Sequence, residues 1–281
     1  MLKQRVITAL VLLLLLLPTF FITDPRPFCA IALLLIAAGA WEWAKLNGYH
    51  HRTALGVSGA VFLVCVLLWQ SGSLNQQFSL LWVIAGSAWV LLGSVLLRGG
   101  VSAWGRYPQA LRLIGGLLAL CLAWLAVAQA RVIGVNFLLS ILVLIWVADI
   151  FAYFSGKAIG GKLIKKKLAP AISPGKSWEG ALGGMVGVVF VAFVWRWADA
   201  YWGVSVPSFY SHMGLESGWL LLIACVFMAT MSVVGDLFES LVKRSAGVKD
   251  SSGLLPGHGG ILDRVDALLP TLPLAMMLSS V

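Results

Sequence analysis

Residues 7–22 read ITALVLLLLLLPTFFI, and apolar stretches of this kind recur from one end of the chain to the other. Nothing else constrains the fold as much, because a run of roughly 17–25 apolar residues is the length of helix that a bilayer demands. Nine candidates are found: Ile7–Ile22, Phe28–Ala44, Ala54–Trp69, Phe78–Leu97, Ala110–Ala130, Ile133–Phe154, Trp178–Trp197, Gly218–Asp236 and Leu262–Val281. With 60% hydrophobic and 11% charged residues, a chain of 281 residues has too little polar surface to be a soluble globular domain. The expected fold is all-α: a polytopic transmembrane helical bundle of about nine helices. Pro270 and Pro273 in the last stretch predict a kink, which membrane helices tolerate.

The basic residues orient the bundle. If the N-terminus is cytoplasmic, seventeen of the twenty lysines and arginines fall on the cytoplasmic side, and Arg26, Arg131 and Arg196 alone fall outside. This asymmetry predicts an N-terminus inside and a C-terminus outside. Lys3 and Arg5 ahead of the first run also fit a secretory signal, but no small-residue cleavage pattern follows, so an uncleaved helix is expected. Cys29, Cys65, Cys121 and Cys225 lie singly in apolar segments and read as small buried hydrophobes. With no internal repeat and no break in composition, residues 1–281 form a single membrane domain. Residues 1–132 hold its less informative helices and 133–281 its catalytic half.

Charge marks that division. Of the eleven acids only Asp24 and Glu42 precede residue 149. Asp149 and Tyr153 share a face near the end of the sixth helix, and an ionisable group at that depth is a functional candidate. Six lysines follow, with no acid before Glu179. Positive-inside topology accounts for Lys165, Lys166 and Lys167 as well as any site would. Lys176 is different, since it stands in SPGKSWEG on a turn opening a helix. The P-loop pattern requires glycine where Pro170 stands, and a membrane helix precedes it instead of a strand, so that reading fails. What survives is Lys176 with Ser177 at a helix start, suited to phosphate oxygens. Gly180, Gly183, Gly184 and Gly187 have the spacing of helix packing.

The second charged stretch runs GDLFESLVKRSAGVKDSSGLLPGHGGILDRVD. On a helix, Asp236, Glu239 and Lys243 line one stripe with Ser240 and Arg244 beside it. Glycines around His258 allow the backbone to approach a ligand closely. Asp263 and Asp266 open the last helix, where Asp266 also suits a plain first-turn acid. Asp236 and Asp263, on converging helices, would repel unless a cation lay between them. Carboxylates for a hard cation, bases for phosphate charge and a glycine-rich loop are parts of a phosphoryl- or nucleotidyl-transfer site.

The stretch from Ser240 to Asp266 resembles the signature of the phosphatidate cytidylyltransferases, also called CDP-diacylglycerol synthases. Ser240, Lys243, Arg244, Lys249, Asp250, His258, Gly259, Gly260, Asp263, Arg264 and Asp266 all stand where the signature requires them. The likeness extends back through GDLFES, SPGKSWEG and DIFAYFSGK, with Ser177 where the family more often has threonine. It implies cytidylyl transfer from CTP to phosphatidate, giving CDP-diacylglycerol and pyrophosphate for phospholipid biosynthesis. It implies Mg²⁺, possibly with a second, monovalent cation such as K⁺, and a homodimer among membrane lipids with no nucleic-acid partner. It also implies a bacterial inner membrane, with the site facing the cytoplasm.

Candidate catalytic residues are then Lys176, Lys243, Arg244, Lys249, Asp250, His258 and Arg264. Candidate substrate contacts are Asp149, Ser173, Lys176, Ser177, Glu179, Ser240, Gly259 and Gly260. Candidate metal ligands are Asp236 and Asp263, with Glu239 and Asp266. A secondary transporter would place its ionisable residues near the midplane, usually in repeated halves. The D-x2-D-G and N-D-x2-D motifs of other membrane transferases do not occur.

Overall fold

The computed structural model describes residues 2–215 and 217–280. Met1, Glu216 and Val281 lie outside the described residues, as do the side chains of Leu2, Ala9, Val6 and two of the basic residues counted above, Lys3 and Arg5.

The chain is helical throughout, and the described residues contain no strand beyond two isolated bridges. The helices are α1 (Leu2–Phe21), α2 (Arg26–Leu46), α3 (His51–Gln70), α4 (Ser79–Trp104), α5 (Gln109–Ile133), α6 (Val135–Ile159), α7 (Trp178–Trp202), α8 (Phe209–Gly214), α9 (Gly218–Ser245), α10 (Leu262–Val265) and α11 (Leu268–Ser280). Seven of them, α2 to α7 and α9, are long and apolar enough to cross a membrane. Their apolar flanks face outward, as at Leu80, Val186, Phe190 and Trp219, so that lipid is their natural solvent.

The two outermost expected spans depart from this. Helix α1 contributes an apolar segment of only Leu10–Phe21 among the described residues. The last stretch does not form one kinked helix but breaks at Asp266 and Ala267 into α10 and α11. At about 1.5 Å per residue, the 13 residues of α11 cover roughly 20 Å, short of a hydrocarbon core of about 30 Å. Residues Leu269 to Met276 are all buried, so α11 is a core element packed against α4, α5 and α9.

Helices α6 and α7 pack closest, along the glycine stripe read from the sequence. A Cβ at Gly184 would lie 2.7 Å from the carbonyl oxygen of Ala148, one at Gly183 2.0 Å from Ser155 Oγ, and one at Gly187 2.3 Å from the Phe151 ring. Gly184 meets backbone, which cannot swing aside. Gly184→Val is therefore expected to force α6 and α7 apart and to destabilise the fold by about 1–3 kcal/mol. A melting temperature equal to wild type in detergent would refute that packing.

Ser58 Oγ donates to the Ala37 carbonyl at 2.7 Å midway along α2 and α3, and other polar contacts mark the two ends of the bundle. At the near end, Trp43 Nε1 donates to the Arg112 carbonyl at 3.1 Å, Ser245 Oγ to Val101 at 3.2 Å and Thr8 Oγ1 to Pro256 at 2.9 Å. At the far end, Arg131 Nη2 donates to the Ile22 carbonyl at 2.5 Å, Gln129 Nε2 to Ser73 at 2.8 Å and Asn136 Nδ2 to Val206 at 2.9 Å. His212 Nε2 lies 3.1 Å from the Ser279 carbonyl, also at the far end. The loops 160–177 and 246–261, which carry the charged motifs, both lie at the near end. The four cysteines are free thiols.

Candidate active site

Helix α9 is the axis of the site. It runs on through Ser245, nine residues past the end of its apolar run at Asp236, so the stretch read as helical beyond that run is helical. Asp236, Glu239, Ser240 and Lys243 are therefore helical, one to two turns apart on adjoining faces. Ser240 Oγ donates to Asp236 Oδ1 at 3.3 Å.

The loop before α7 delivers Lys176 to this helix. Ser177 caps α7 by accepting the Gly180 N–H at 3.1 Å. Buried Glu179 folds the loop back on itself, its Oε1 accepting the N–H groups of Gly161, Leu163 and Ile164 at 3.0, 3.0 and 2.9 Å. The tight turn between Ala169 and Ser173 closes with Ser173 N–H on the Ala169 carbonyl at 2.8 Å, and the next turn with Lys176 N–H on the Ser173 carbonyl at 3.2 Å. So held, Lys176 Nζ stands 2.5 Å from Asp236 Oδ2. Ser177 and Glu179, read from the sequence as substrate contacts, spend these oxygens on the loop.

A cavity of about 500 Å³ opens beside this pair between α6, α7 and α9. Asp149, Tyr153, Lys157, Lys176 and Asp236 give it polar walls, while Ala148, Ala152, Met185, Ala229 and Val233 make the rest apolar. A ligand with a charged head and a greasy remainder matches such a lining.

The signature stretch builds the second half of the site. Lys243 Nζ bridges Glu239 Oε2 and Asp263 Oδ1, the latter at 2.5 Å. Asp263 Oδ2 accepts from Gly260 N at 2.7 Å and from the backbone N and hydroxyl of Ser251, both at 2.9 Å. The Lys243 ammonium and these donors compensate the carboxylate for its burial. The glycines make close approaches to carboxylates: a Cβ at Gly259, where φ is +83°, would lie 2.6 Å from Asp263 Oδ2.

Asp266 sits between α10 and α11, and a Cβ on Gly235 would come within 2.5 Å of its carbonyl oxygen. Asp263 pairs with Lys243, which also meets Glu239.

Other sequence candidates stand apart from these pairs. Arg244, Lys249 and Asp250 are exposed, and Arg244 Nη1 reaches only the Val248 carbonyl at 3.3 Å. Arg264 spends its guanidinium on the His258 carbonyl, at 3.1 Å from Nε and 2.5 Å from Nη2. His258 keeps a buried Nδ1 without a hydrogen-bond partner.

One residue was missed. Glu42 of α2, fully buried, accepts hydrogen bonds from the signature stretch: Ser252 Oγ at 2.5 Å, Ile261 N at 2.9 Å and Leu262 N at 2.8 Å. Its signal was a lone acid inside an apolar run, AAGAWEWAKL, where an uncompensated charge is expensive.

The donor set suits a hard divalent cation. Asp236 and Glu239 stand on α9, Asp263 in α10 and Asp266 at its end, and Glu239 Oε1 is buried without a hydrogen-bond partner. Among the described residues no three metal-ligating side chains form a ready-made cage. Mg²⁺ does not require one, because it keeps several waters and binds through one or two carboxylates plus substrate phosphates.

Ammonium groups interleaved with carboxylates at one end of a membrane bundle, beside a half-apolar cavity, define an integral membrane protein with a site for phosphate chemistry. Residues 3–281 match the model of the cytidylyltransferase family, and the chain belongs to that family. A phosphatidate cytidylyltransferase of Pseudomonas aeruginosa is 38% identical over 277 residues, covering 97% of this chain and 95% of that protein. One of Haemophilus influenzae is 36% identical over 97% of this chain and 96% of its own, and one of Staphylococcus epidermidis 31% identical over 98% of each.

Proposed function

We propose that this protein is a phosphatidate cytidylyltransferase, converting CTP and phosphatidate into CDP-diacylglycerol and pyrophosphate within the membrane. The observation that carries the reading is a family match spanning nearly the whole chain, on a fold whose lysine–carboxylate pairs border a half-apolar cavity.

In this reaction an oxygen of the phosphatidate monoester bonds to the α-phosphorus of CTP, and the bond from that phosphorus to the β-bridging oxygen breaks. Pyrophosphate leaves with the electron pair. The nucleophile is already an oxyanion, of about −1.5 to −2 charge, so it needs no base. Repulsion between two polyanions is the main barrier, and charge compensation with positioning lowers it. Lys176 and Lys243 are placed to neutralise phosphate oxygens, with Arg244, Lys249 and Arg264 around the rim. His258 Nδ1 is available to donate to, or orient, a phosphate oxygen, and Asp250 to order the rim bases. Asp149, Ser173, Ser177, Glu179, Ser240, Gly259 and Gly260 shape the walls and loops that receive the substrates. Mg²⁺ would be held by Asp236 and Asp263, with Glu239 and Asp266 close by, and would supply positive charge to the phosphates; a monovalent ion such as K⁺ is proposed as a second occupant.

The decisive test is to mix purified protein with Mg²⁺, phosphatidate and CTP labelled in the cytidine ring. Label should move into the chloroform phase only when phosphatidate is present. Folded protein that leaves all label in water would overturn the reading.

For topology we propose nine crossings in one membrane domain, catalytic in residues 133–281, with the N-terminus inside and the C-terminus outside. Its support lies in the contacts at the two ends: α1 meets Pro256 at the near end and Arg131 at the far end, and the last segment runs from Asp266 to the His212 contact. The near end would face the cytoplasm of a bacterial inner membrane, and the working unit would be a homodimer. An alkaline phosphatase reporter fused after Val281 should be active outside the cytoplasm, and a cytoplasmic readout would refute nine crossings.

A further inference from the structure

Helix α10 has four residues, too few to be stable alone, and its opening residue supplies no side-chain cap. Both amides that begin it are bound instead by Glu42, from about 220 residues away in the chain: Ile261 N–H on Oε1 at 2.9 Å and Leu262 N–H on Oε2 at 2.8 Å. Ser252 Oγ donates to Oε1 at 2.5 Å. Ser251 Oγ lies 3.2 Å from Glu42 Oε2 and 2.9 Å from Asp263 Oδ2, so a single hydroxyl joins the two carboxylates. Glu42 is fully buried, and no ion pair among the described residues includes it.

A carboxylate buried in this way is a poor means of holding helices together, since an apolar side chain of similar size often serves stability as well. What it supplies is direction. The next residue after its two backbone partners is Asp263, whose own carboxylate reaches Lys243 and Ser251. Gly260 belongs to the same device, because a Cβ there would lie 2.4 Å from Glu42 Oε1 and 2.0 Å from Ser251 Oγ.

We propose that Glu42 is a positioning residue for cytidylyl transfer: it fixes the start of α10 from outside the catalytic half and thereby aims Asp263 at the phosphate and cation site. This rests on the reaction proposed above. Glu42→Gln is the test, since glutamine offers one acceptor oxygen and turns an NH₂ toward the other pair of donors. In detergent-purified protein, hydrogen exchange over residues 249–264 should quicken at least tenfold, with α3, α6 and α7 unchanged. Mn²⁺ binding, followed by electron paramagnetic resonance, should weaken about tenfold, and turnover per folded molecule should fall about a hundredfold. Glu42→Asp, which keeps the charge and both oxygens, should recover part of each loss.

A purely structural role would lower the melting temperature while the folded fraction kept wild-type Mn²⁺ affinity and turnover, and that result would overturn the proposal. So would unchanged exchange over residues 249–264. If wild-type protein itself made no cytidine lipid, the reaction would be wrong, and the exchange and Mn²⁺ comparisons would still decide whether Glu42 positions Asp263.

Discussion

Asp263→Asn is expected to lower cytidylyl transfer by on the order of a thousandfold, about 4 kcal/mol of transition-state stabilisation, while leaving the helical bundle intact. The carboxylate receives donors on both oxygens, with Lys243 at Oδ1 and Ser251 and Gly260 at Oδ2. Asparagine has one acceptor, so its NH₂ must confront either the ammonium or the loop, and the negative charge that a hard cation needs is gone. Lys243 keeps Glu239 of the same helix as its ionic partner, so folded protein should still be recovered. Asp24→Asn at the far end removes only an exposed pair with Arg26, and should stay within a fewfold of wild type. Asp266→Asn is no such control, because Asp266 is itself a candidate metal ligand. Turnover of Asp263→Asn within tenfold of wild type, at saturating Mg²⁺, would remove Asp263 from the reaction.

Lys243→Met should be the more damaging change, because it harms fold and chemistry together. Lys243 is mostly buried and is the cation between Glu239 and Asp263, whose side chains are 3% and 8% exposed. Removing one partner of a buried ionic group leaves the others uncompensated, at a cost of about 3–5 kcal/mol. The melting temperature should fall by several degrees and activity should be lost. Adding Glu239→Gln removes one orphaned charge and should restore much of the melting temperature without restoring turnover. If the double variant melted no higher than Lys243→Met, burial of the unpaired Glu239 carboxylate would not be the source of the instability.

The helices most legible in the sequence are those whose length the bilayer dictates. Helices α2, α3 and α5 begin and end within three residues of their apolar runs, and α4, α6 and α7 begin as closely but run on five to seven residues past theirs; an unsatisfied backbone in hydrocarbon is so costly that the apolar core of each helix is written in composition. Helix α9 outlasts its apolar run, and the helical spacing of Asp236, Glu239 and Lys243 already showed it continuing past that run. There Lys243 meets both Glu239 and Asp263. The last apolar run was read as one kinked helix; Asp266 interrupts it before either proline, where the chain passes close to Gly235.

Within the site, the sequence determined the inventory: which segments are apolar, which end of the bundle is charged, and that lysines and carboxylates recur there at helical spacing. Glu42 shows what it did not determine. Its neighbours in the chain are apolar, and its role is set by Ser251, Ser252, Ile261 and Leu262, more than 200 residues away. Pairings of that kind decide that Lys176 meets Asp236 and that Lys243 meets Asp263. Local periodicity encodes which side of a helix a residue occupies. Only the packing of one helix against another brings two distant charges to within 3 Å, where Coulomb attraction and desolvation become large enough to choose partners.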